Sequence, residues 1–500
     1  MNDRKQRKLP FTWVWIAATA AFCVLFTFAL IPGAAAQPNS EYDNGVNPYS
    51  ETRKYFSVMQ NVFDFIQRYY VDEVDPQVIF EGAMHGMLNA LGDPYSSFLA
   101  ESEMSDLNDT TRGSFGGVGL NITQSVGARP DGKPRYVEVV SPIEDTPGWR
   151  AGINPGDFIA EIDGTPTDTL SMDEVLARLR GTPGDNVKLL IKRGEKVEFP
   201  VTITRAEIEV PTVKHAMIGD TAYLKLLTFT PMTIERTIGA INDFRANNYK
   251  SVILDLRNNY GGLLESAIDI SSIFLNGGLV VSTKSRIRIE TRDFKTRRPM
   301  LIPADIPVIV LINRGSASAS EIVAGALKDR GRAFLVGEKT YGKGSVQQVH
   351  RLENSGFKLT TARYYTPSDV NIDKIGIPPD REVKFPEYTD EDAVKLNELI
   401  NANKIPEYAA QNQQASAAQI EAFAASLEKE YHINVSLLKR MIRNELHRTS
   451  IAPVYDMEYD IQLQEAVNII RNGSYPSLMK TTKTLKALQE EAEENLPLAS

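Results

Sequence analysis

Two short runs concentrate the residues capable of covalent chemistry. In Asn313-Arg314-Gly315-Ser316-Ala317-Ser318-Ala319-Ser320-Glu321, three serines alternate with small residues directly after an apolar run over 307–312. In Gly337-Glu338-Lys339-Thr340-Tyr341-Gly342-Lys343-Gly344, Lys343 stands between glycines. A serine hydroxyl is a weak nucleophile until a neighbouring base takes its proton. Lysine can be that base only when neutral, and bringing a pKa of about 10.4 down to near 7 takes about 4 kcal/mol of differential stabilisation. Burial against apolar walls supplies energies of that size. Each run also has a plainer reading. Ser316, Ser318 and Ser320 would serve as a helix N-cap with solvated neighbours, and Lys343 would be a solvated charge.

The elements around them decide what they can do. The run over 307–312 reads as a buried strand that turns at once into a helix over 320–328, so the serines fall where unpaired helical amides and the positive dipole end converge. Such a place stabilises an oxyanion. A short strand over 334–336 leads into the lysine turn. With a strand over 251–256 and a helix over 263–275, the alternation across 207–386 predicts a layered α/β core. Residues 112–206 change to short strands with glycine punctuation (118–122, 136–140, 158–162, 187–191). One helix interrupts them, with Met172, Val175, Leu176 and Leu179 at i, i+3, i+4 and i+7 before Arg180 and the Gly181-Thr182-Pro183-Gly184 turn. Ahead of this, 51–111 reads as a helical segment with Phe56, Met59, Val62 and Phe63 on one face and a turn at Gly92-Asp93-Pro94. From 387 to 500 the chain reads as helical, opening on a Thr389-x-x-Asp392 capping box and carrying Ile420, Phe423, Ala424 and Leu427 at helical spacing. Its glutamate-rich last twenty residues are expected to fray. The fold class expected is multidomain α/β: a layered core, an inserted smaller domain, and helical segments at both ends.

Chain-wide properties narrow the function classes. The 500 residues exceed one hydrophobic core, and 42% apolar with 24% charged residues argues for a folded body. A formal net charge of −9 argues against nucleic acid as a partner. Arg4, Lys5, Arg7 and Lys8 precede an apolar run over 11–31 and Ala34-x-Ala36, the pattern of an export signal over 1–36 followed by a linker over 37–50. The run is also long enough to stay as a membrane anchor. Either way the body is expected outside the cytoplasm, periplasmic or membrane-anchored. The single cysteine, Cys23, lies in that segment, so the body carries no disulfide and no thiol nucleophile. The five histidines are scattered, with no His-Glu-x-x-His spacing, and no metal or cofactor is expected.

Ser318-Ala319-Ser320-Glu321-Ile322, Lys343 in Tyr341-Gly342-Lys343-Gly344, and Gln347 together resemble the catalytic core of the carboxyl-terminal processing (tail-specific) protease family. The family's Asp-Leu-Arg-x-Asn-x-Gly-Gly motif is present as Asp255-Leu256-Arg257-Asn258-Asn259-Tyr260-Gly261-Gly262, with Tyr260 where many members have proline. Thr361-Ala-Arg363-Tyr364-Tyr365-Thr366-Pro367-Ser368 and Gly376-Ile377-Pro378-Pro379-Asp380 fit as well, so the resemblance covers about 51–386, with an echo at Asp460-Ile461-Gln462-Leu463. It implies Ser318 as nucleophile, Lys343 as general base, Gln347 as the residue orienting Lys343, and the amides of Gly262 and Ala319 as oxyanion hole.

Residues 112–206 resemble a bacterial-protease PDZ domain. Phe115-Gly116-Gly117-Val118-Gly119-Leu120 would be its carboxylate-binding loop, while Ala151-Gly152-Ile153, Gly156-Asp157 and Ile162-Asp163-Gly164 match its landmarks. Clustered backbone N–H groups can hold a terminal carboxylate, and an adjacent strand can pair with an incoming peptide. Gly116, Gly117, Val118, Gly119 and Leu120 are therefore the expected substrate-binding residues. Arg180 is a candidate sensor of domain docking through Gln347 or a bridging carbonyl. The function expected is a serine endopeptidase that binds apolar C-terminal tails and cleaves the proteins carrying them. Its expected partners are protein substrates, the membrane if residues 1–36 are retained, and a second copy through the helical ends. The alternatives are a noncatalytic PDZ scaffold and an α/β-hydrolase-type esterase, although Gly-x-Ser-x-Gly is absent around Ser318 and His350 lacks a supporting motif.

Overall fold

The computed structural model describes residues 48–124, 135–194, 196–386, 389–447 and 453–494. The expected export signal or anchor, Cys23 and most of the linker lie outside the described residues. Among the described residues no helix is long and apolar enough to cross a membrane.

Two compact units divide at residue 80. The first contains helix α1 (Pro48–Tyr69), on which Phe56, Met59 and Val62 are exposed. Helix α2 (Pro76–Asn89) begins next.

The second unit starts within α2. It continues through the short strand β1 (Ser97–Leu99) and helix α3 (Glu101–Arg112). A strand was not expected in this helical stretch. Its three residues exist by pairing with a partner more than 250 positions away, which local periodicity cannot reveal.

An all-β module with two short helices follows. Strands β2 (Ser114–Gly117), β3 (Leu120–Thr123) and β4 (Val137–Pro142) precede helix α4 (Pro147–Arg150). Strands β5 (Phe158–Ile162) and β6 (Thr165–Pro166) precede helix α5 (Met172–Leu179), and β7 (Asn186–Arg193), β8 (Val197–Thr204) and β9 (Ala206–Glu209) close the module. The sheet order is β3-β4-β5-β7-β8, with β3 at an edge, and β2 pairs with β9 to tie the module's two ends together. Val137, Val139, Ile159, Val175, Val187 and Ile191 are completely buried in its core.

The region over 207–386, expected as layered α/β, is so. Strands β10 (Val213–Ile218) and β11 (Thr221–Leu226), helix α6 (Thr233–Ala246), β12 (Ser251–Asp255) and α7 (Leu264–Phe274) lead to the hairpin of β13 (Leu279–Lys284) and β14 (Arg292–Lys295). Then come β15 (Val308–Ile312), α8 (Ala319–Asp329), β16 (Phe334–Gly337), the long hairpin of β17 (Ser345–Arg351) and β18 (Gly356–Tyr365), and β19 (Arg381–Glu382). A six-stranded sheet runs β10-β11-β12-β15-β16-β19, parallel after the first pair. Strands β12 and β15 are buried along their whole length, as continuous apolar strands covered on both faces must be. A second sheet joins β1, β18, β13 and β14, with β17 on β18.

Helices α9 (Asp390–Asn401), α10 (Lys404–Gln411), α11 (Ala417–Tyr431) and α12 (Val435–Leu446) bury a separate core that includes Ala424 and Leu427. The Thr389–Asp392 capping box is present. Helix α13 (Ile461–Arg471) lays Leu463, Ala466 and Val467 on the face of the six-stranded sheet formed by Ile253, Ile309 and Val336. After α14 (Tyr475–Met479), the stretch expected to fray forms α15 (Leu485–Glu494). Leu485 is buried in the apolar core of the α/β region, and its N–H donates to the Asp329 carboxylate at 2.7 Å. One apolar anchor and one cap outweigh the glutamates that follow.

Candidate active site

Helix α8 opens at Ala319, which makes Ser318 its N-cap. Ser318 stands at φ 54° and ψ −113°, a conformation non-glycine residues rarely adopt, at a cost of about 1–3 kcal/mol. Its neighbours hold it there. Ser316 and Ser320 are fully buried. Their hydroxyls donate to the carbonyls of Leu256 (2.9 Å) and Asn259 (2.8 Å). Ala317 donates its N–H to the same Asn259 carbonyl at 3.1 Å. The flanking serines are therefore stitches rather than solvated neighbours, and only Ser318 is left half-buried.

The loop after β12 approaches from the other side. The buried Asn259 donates its side-chain amide to the Leu226 carbonyl and accepts the Gly261 N–H, both at 2.9 Å. Gly261 has φ 107°, and a Cβ there would lie 2.8 Å from Ser318 Cβ and 3.0 Å from the Ala319 nitrogen. Only glycine lets this loop reach the serine. The Gly262 and Ala319 N–H groups enter none of the described loop and turn hydrogen bonds. Tyr260 is 78% exposed, so the side chain that replaces the family's proline disturbs no packing.

Glu321 joins the serine turn to the lysine loop. The residue is fully buried. Its Oε2 accepts the N–H groups of both Ser318 and Lys343 at 2.9 Å. The two backbone nitrogens thus lie no more than two hydrogen-bond lengths apart. Its Oε1 accepts the Thr340 hydroxyl (2.6 Å) and the Gly342 N–H (2.7 Å). Burial pushes the Glu321 carboxyl up, while these four donors pull it back toward the ionised form. A further bond, from the Tyr341 N–H to the Ser316 carbonyl at 3.0 Å, fixes the two loops together.

Lys343 is half-buried and its ammonium is held below the ordinary lysine range. Burial is the main cause, helped by the Lys358 charge and opposed by Asp93 and Glu321. Gln347, expected to orient Lys343, donates its amide to the hydroxyls of Ser345 (2.9 Å) and Thr360 (3.2 Å). It sits at a bulge of the β17–β18 hairpin. His350 is exposed and stacks on Phe357 with ring centroids 4.9 Å apart.

The rest of the Asp-Leu-Arg motif anchors the C-terminal part of the chain. Arg257 pairs with Asp255 (2.7 Å) and, 203 residues on, with Asp460 (2.6 Å), the N-cap of α13. It also donates to the Gln462 side chain at 3.1 Å. Burial alone would raise the Asp255 carboxyl, but Arg257 beside it, with the Tyr223 hydroxyl, holds it below the usual carboxylate range.

In the smaller module Gly116 and Gly117 lie on β2, and Val118 and Gly119 form the turn into β3, which begins at Leu120. The Val118 and Gly119 carbonyls accept the N–H groups of Gly148 (2.7 Å) and Ile143 (2.9 Å), which fixes the loop. Among the described residues β3 ends its sheet, the kind of position at which a peptide strand can add. Of the α5 stripe, Val175 and Leu179 are core, while Met172 and Leu176 are half-buried. Arg180 caps α5 and places its guanidinium 5.3 Å from the centre of the Phe115 ring, within the glycine loop, while the Gln347 amide is engaged elsewhere.

Glu321 and Asn259 carry the site geometry, yet reading the sequence assigned neither a role. Glu321 stands three residues after Ser318, the Ser-x-x-Glu spacing of a capping box, and that signal could have found it. Nothing local marks Asn259.

Comparison with known proteins agrees with this architecture. A model of peptidase family S41 matches residues 220–383, one of the N-terminal domain of the activating protease CtpB matches 17–103, and a PDZ domain model matches 138–193. The chain is 40% identical over 346 residues to a carboxy-terminal-processing protease of Bartonella bacilliformis, covering 68% of this chain and 77% of that one. It is 38% identical to a chloroplastic carboxyl-terminal-processing peptidase of Arabidopsis thaliana over 62% of each chain. To a carboxyl-terminal-processing protease of a Synechocystis species it is 37% identical over 61% and 71% of the two chains. Fold and comparisons define a serine peptidase that carries a PDZ domain and binds protein substrates. Within that class the chain belongs to the carboxyl-terminal processing protease family.

Proposed function

We propose that this protein captures the apolar C-terminal tails of exported or membrane proteins and cleaves them with a Ser318/Lys343 dyad. The observation that carries the dyad is the Glu321 carboxylate, which binds the backbone N–H groups of both residues through one oxygen.

Neutral Lys343 takes the proton of the Ser318 hydroxyl as Oγ attacks the scissile carbonyl carbon. The negative charge forming on the carbonyl oxygen is received by the N–H groups of Ala319, at the start of α8, and Gly262. Lys343 then passes its proton to the leaving amine as the C–N bond breaks, leaving an acyl ester on Ser318. A water gives its proton to Lys343, attacks the ester, and the proton returns to Ser318. Burial of Lys343 supports the first step, because it favours the neutral amine. Gln347 acts on Lys343 through the β17–β18 hairpin, whose register it fixes with Ser345 and Thr360.

The tail adds to the free edge of β3, with its carboxylate on the amides of the Gly116–Leu120 loop and its last side chain against Leu176 and Met172. Arg180, beside Phe115 in that loop, couples occupancy of the PDZ domain to turnover. The basic, apolar N-terminus supports a periplasmic or membrane-anchored body, and the exposed apolar face of α1 supports a homodimer.

The test is cleavage of a peptide ending in a free apolar residue. Ser318→Ala and Lys343→Ala should each abolish cleavage, and His350→Ala should retain it. Cleavage by Ser318→Ala would contradict the proposal.

A further inference from the structure

The segment ahead of the PDZ domain reaches the base. Lys343 Nζ lies 4.9 Å from the centre of the Tyr95 ring. Tyr95 belongs to the turn Gly92-Asp93-Pro94-Tyr95-Ser96, which reads in the sequence as punctuation between helices. A clasp fixes this turn. The Asp93 carboxylate accepts the Tyr95 N–H (3.1 Å), the Ser96 hydroxyl (2.5 Å) and the Thr360 hydroxyl (2.6 Å). Ser96 in return accepts the Thr360 N–H at 3.0 Å. Strand β1 continues the attachment by pairing Ser97, Phe98 and Leu99 with Lys358, Phe357 and Gly356 of β18. Thr360 is the same residue that receives the Gln347 amide, so the clasp and the strand behind the lysine loop are one hydrogen-bonded assembly.

We propose that Tyr95, fixed by the Asp93–Ser96–Thr360 clasp, is a positioning residue for Lys343, so that the turn ahead of the PDZ domain completes the base site. The proposal rests on Lys343 being the base. The ring presents an aromatic face to the lysine head, which suits both its charged and its neutral form and keeps water from that side. The Tyr95 hydroxyl is pushed up to about 12, by burial and then by its hydrogen bond with Tyr341, so it stays a neutral phenol while the enzyme works. The groups facing Lys343 are Asp93 and Tyr95 from the turn, Lys358 from β18 and Glu321 from α8, while Tyr341 of its own loop meets Tyr95. Asp373 lies behind the loop, where it accepts the Gly344 N–H. Asp93 is the member of this set that the turn contributes as charge, and it favours the protonated lysine.

The test uses the full chain and a peptide substrate ending in a free apolar residue, with kcat, KM and thermal midpoint measured across pH for five forms: parent, Lys343→Ala, Tyr95→Leu, Tyr95→Phe and Asp93→Asn. Tyr95→Leu keeps apolar bulk without an aromatic face. It should lower kcat at least about tenfold with KM and midpoint near parental, a rate effect of misplacement rather than of binding. Tyr95→Phe should restore most of the lost rate. Asp93→Asn removes a charge that favours protonated Lys343, so the acidic limb of the kcat profile should move to lower pH. A Tyr95→Leu enzyme with kcat within twofold of parent, or an unmoved acidic limb in Asp93→Asn, beside an inactive Lys343→Ala, overturns the proposal alone. An active Lys343→Ala overturns the base assignment and the proposal with it.

Discussion

Removing the Glu321 carboxylate should disable the enzyme without touching either proposed reacting group. In Glu321→Ala the N–H groups of Ser318, Gly342 and Lys343 lose their acceptor in a place that water does not fill readily, because residue 321 is fully buried. Leaving a buried donor unsatisfied costs about 1–3 kcal/mol. Three such donors set a gross loss of about 3–9 kcal/mol, with relief of the desolvated charge returning part of it. Ser318 also sits at a strained φ of 54°. With its N–H released, nothing on the Glu321 side holds that conformation, and a shift of about 1 Å costs on the order of a hundredfold in rate. Glu321→Gln should be milder. It keeps one acceptor oxygen, but its NH2 must point at Gly342 or at the Ser318 and Lys343 pair. The assay is kcat on a peptide with a free apolar terminus, beside the urea midpoint of each form. The expected order in both readouts is parent, then Gln, then Ala. A Glu321→Ala protein with parental kcat and parental midpoint would refute the bridging role.

Activity should rise with pH and then plateau. The folded-state pKa of Lys343 lies below the ordinary 10.5, so the amine is charged and inactive below that depressed value and neutral above it. Lys343→Arg should be inactive at every usable pH, because guanidinium does not lose its proton. Amidating the carboxyl terminus of a tail peptide should weaken its binding at least about tenfold in a titration, since the Gly116–Leu120 amides then lack a charge to hold. Arg257→Ala leaves the fully buried Asp255 uncompensated and should cost about 3–5 kcal/mol. Hydrogen exchange should show the loss concentrated in α13, whose N-cap Asp460 pairs with Arg257.

The regular elements of the core were legible because period and punctuation act locally. The apolar run before Ser316 is β15, and the stripe from Met172 to Leu179 is α5. The residues proposed to react stood out by type: a serine at a strand-to-helix turn and a lysine between glycines. What joins them was not. Asn259 gains its place from Leu226 and Ala317, and Asp93 from Thr360, across separations that no window along the chain can sense. The plainer reading of the serine run leaves Ser316 and Ser320 solvated, because hydroxyls usually are, whereas both are buried and donate to two carbonyls of the β12 loop. The same holds for Arg257, a motif residue whose partner lies 203 positions away.

The central claim is that Ser318 and Lys343 together cleave proteins captured by their C-terminal tails. The most direct measurement compares protein C-termini across the whole proteome in cells carrying the active protein, Ser318→Ala or Lys343→Ala. The account predicts one set of exported or membrane proteins whose apolar ends are lost with the active protein and retained with both variants alike. Termini that remain processed in either variant, or that differ between the two, would contradict it.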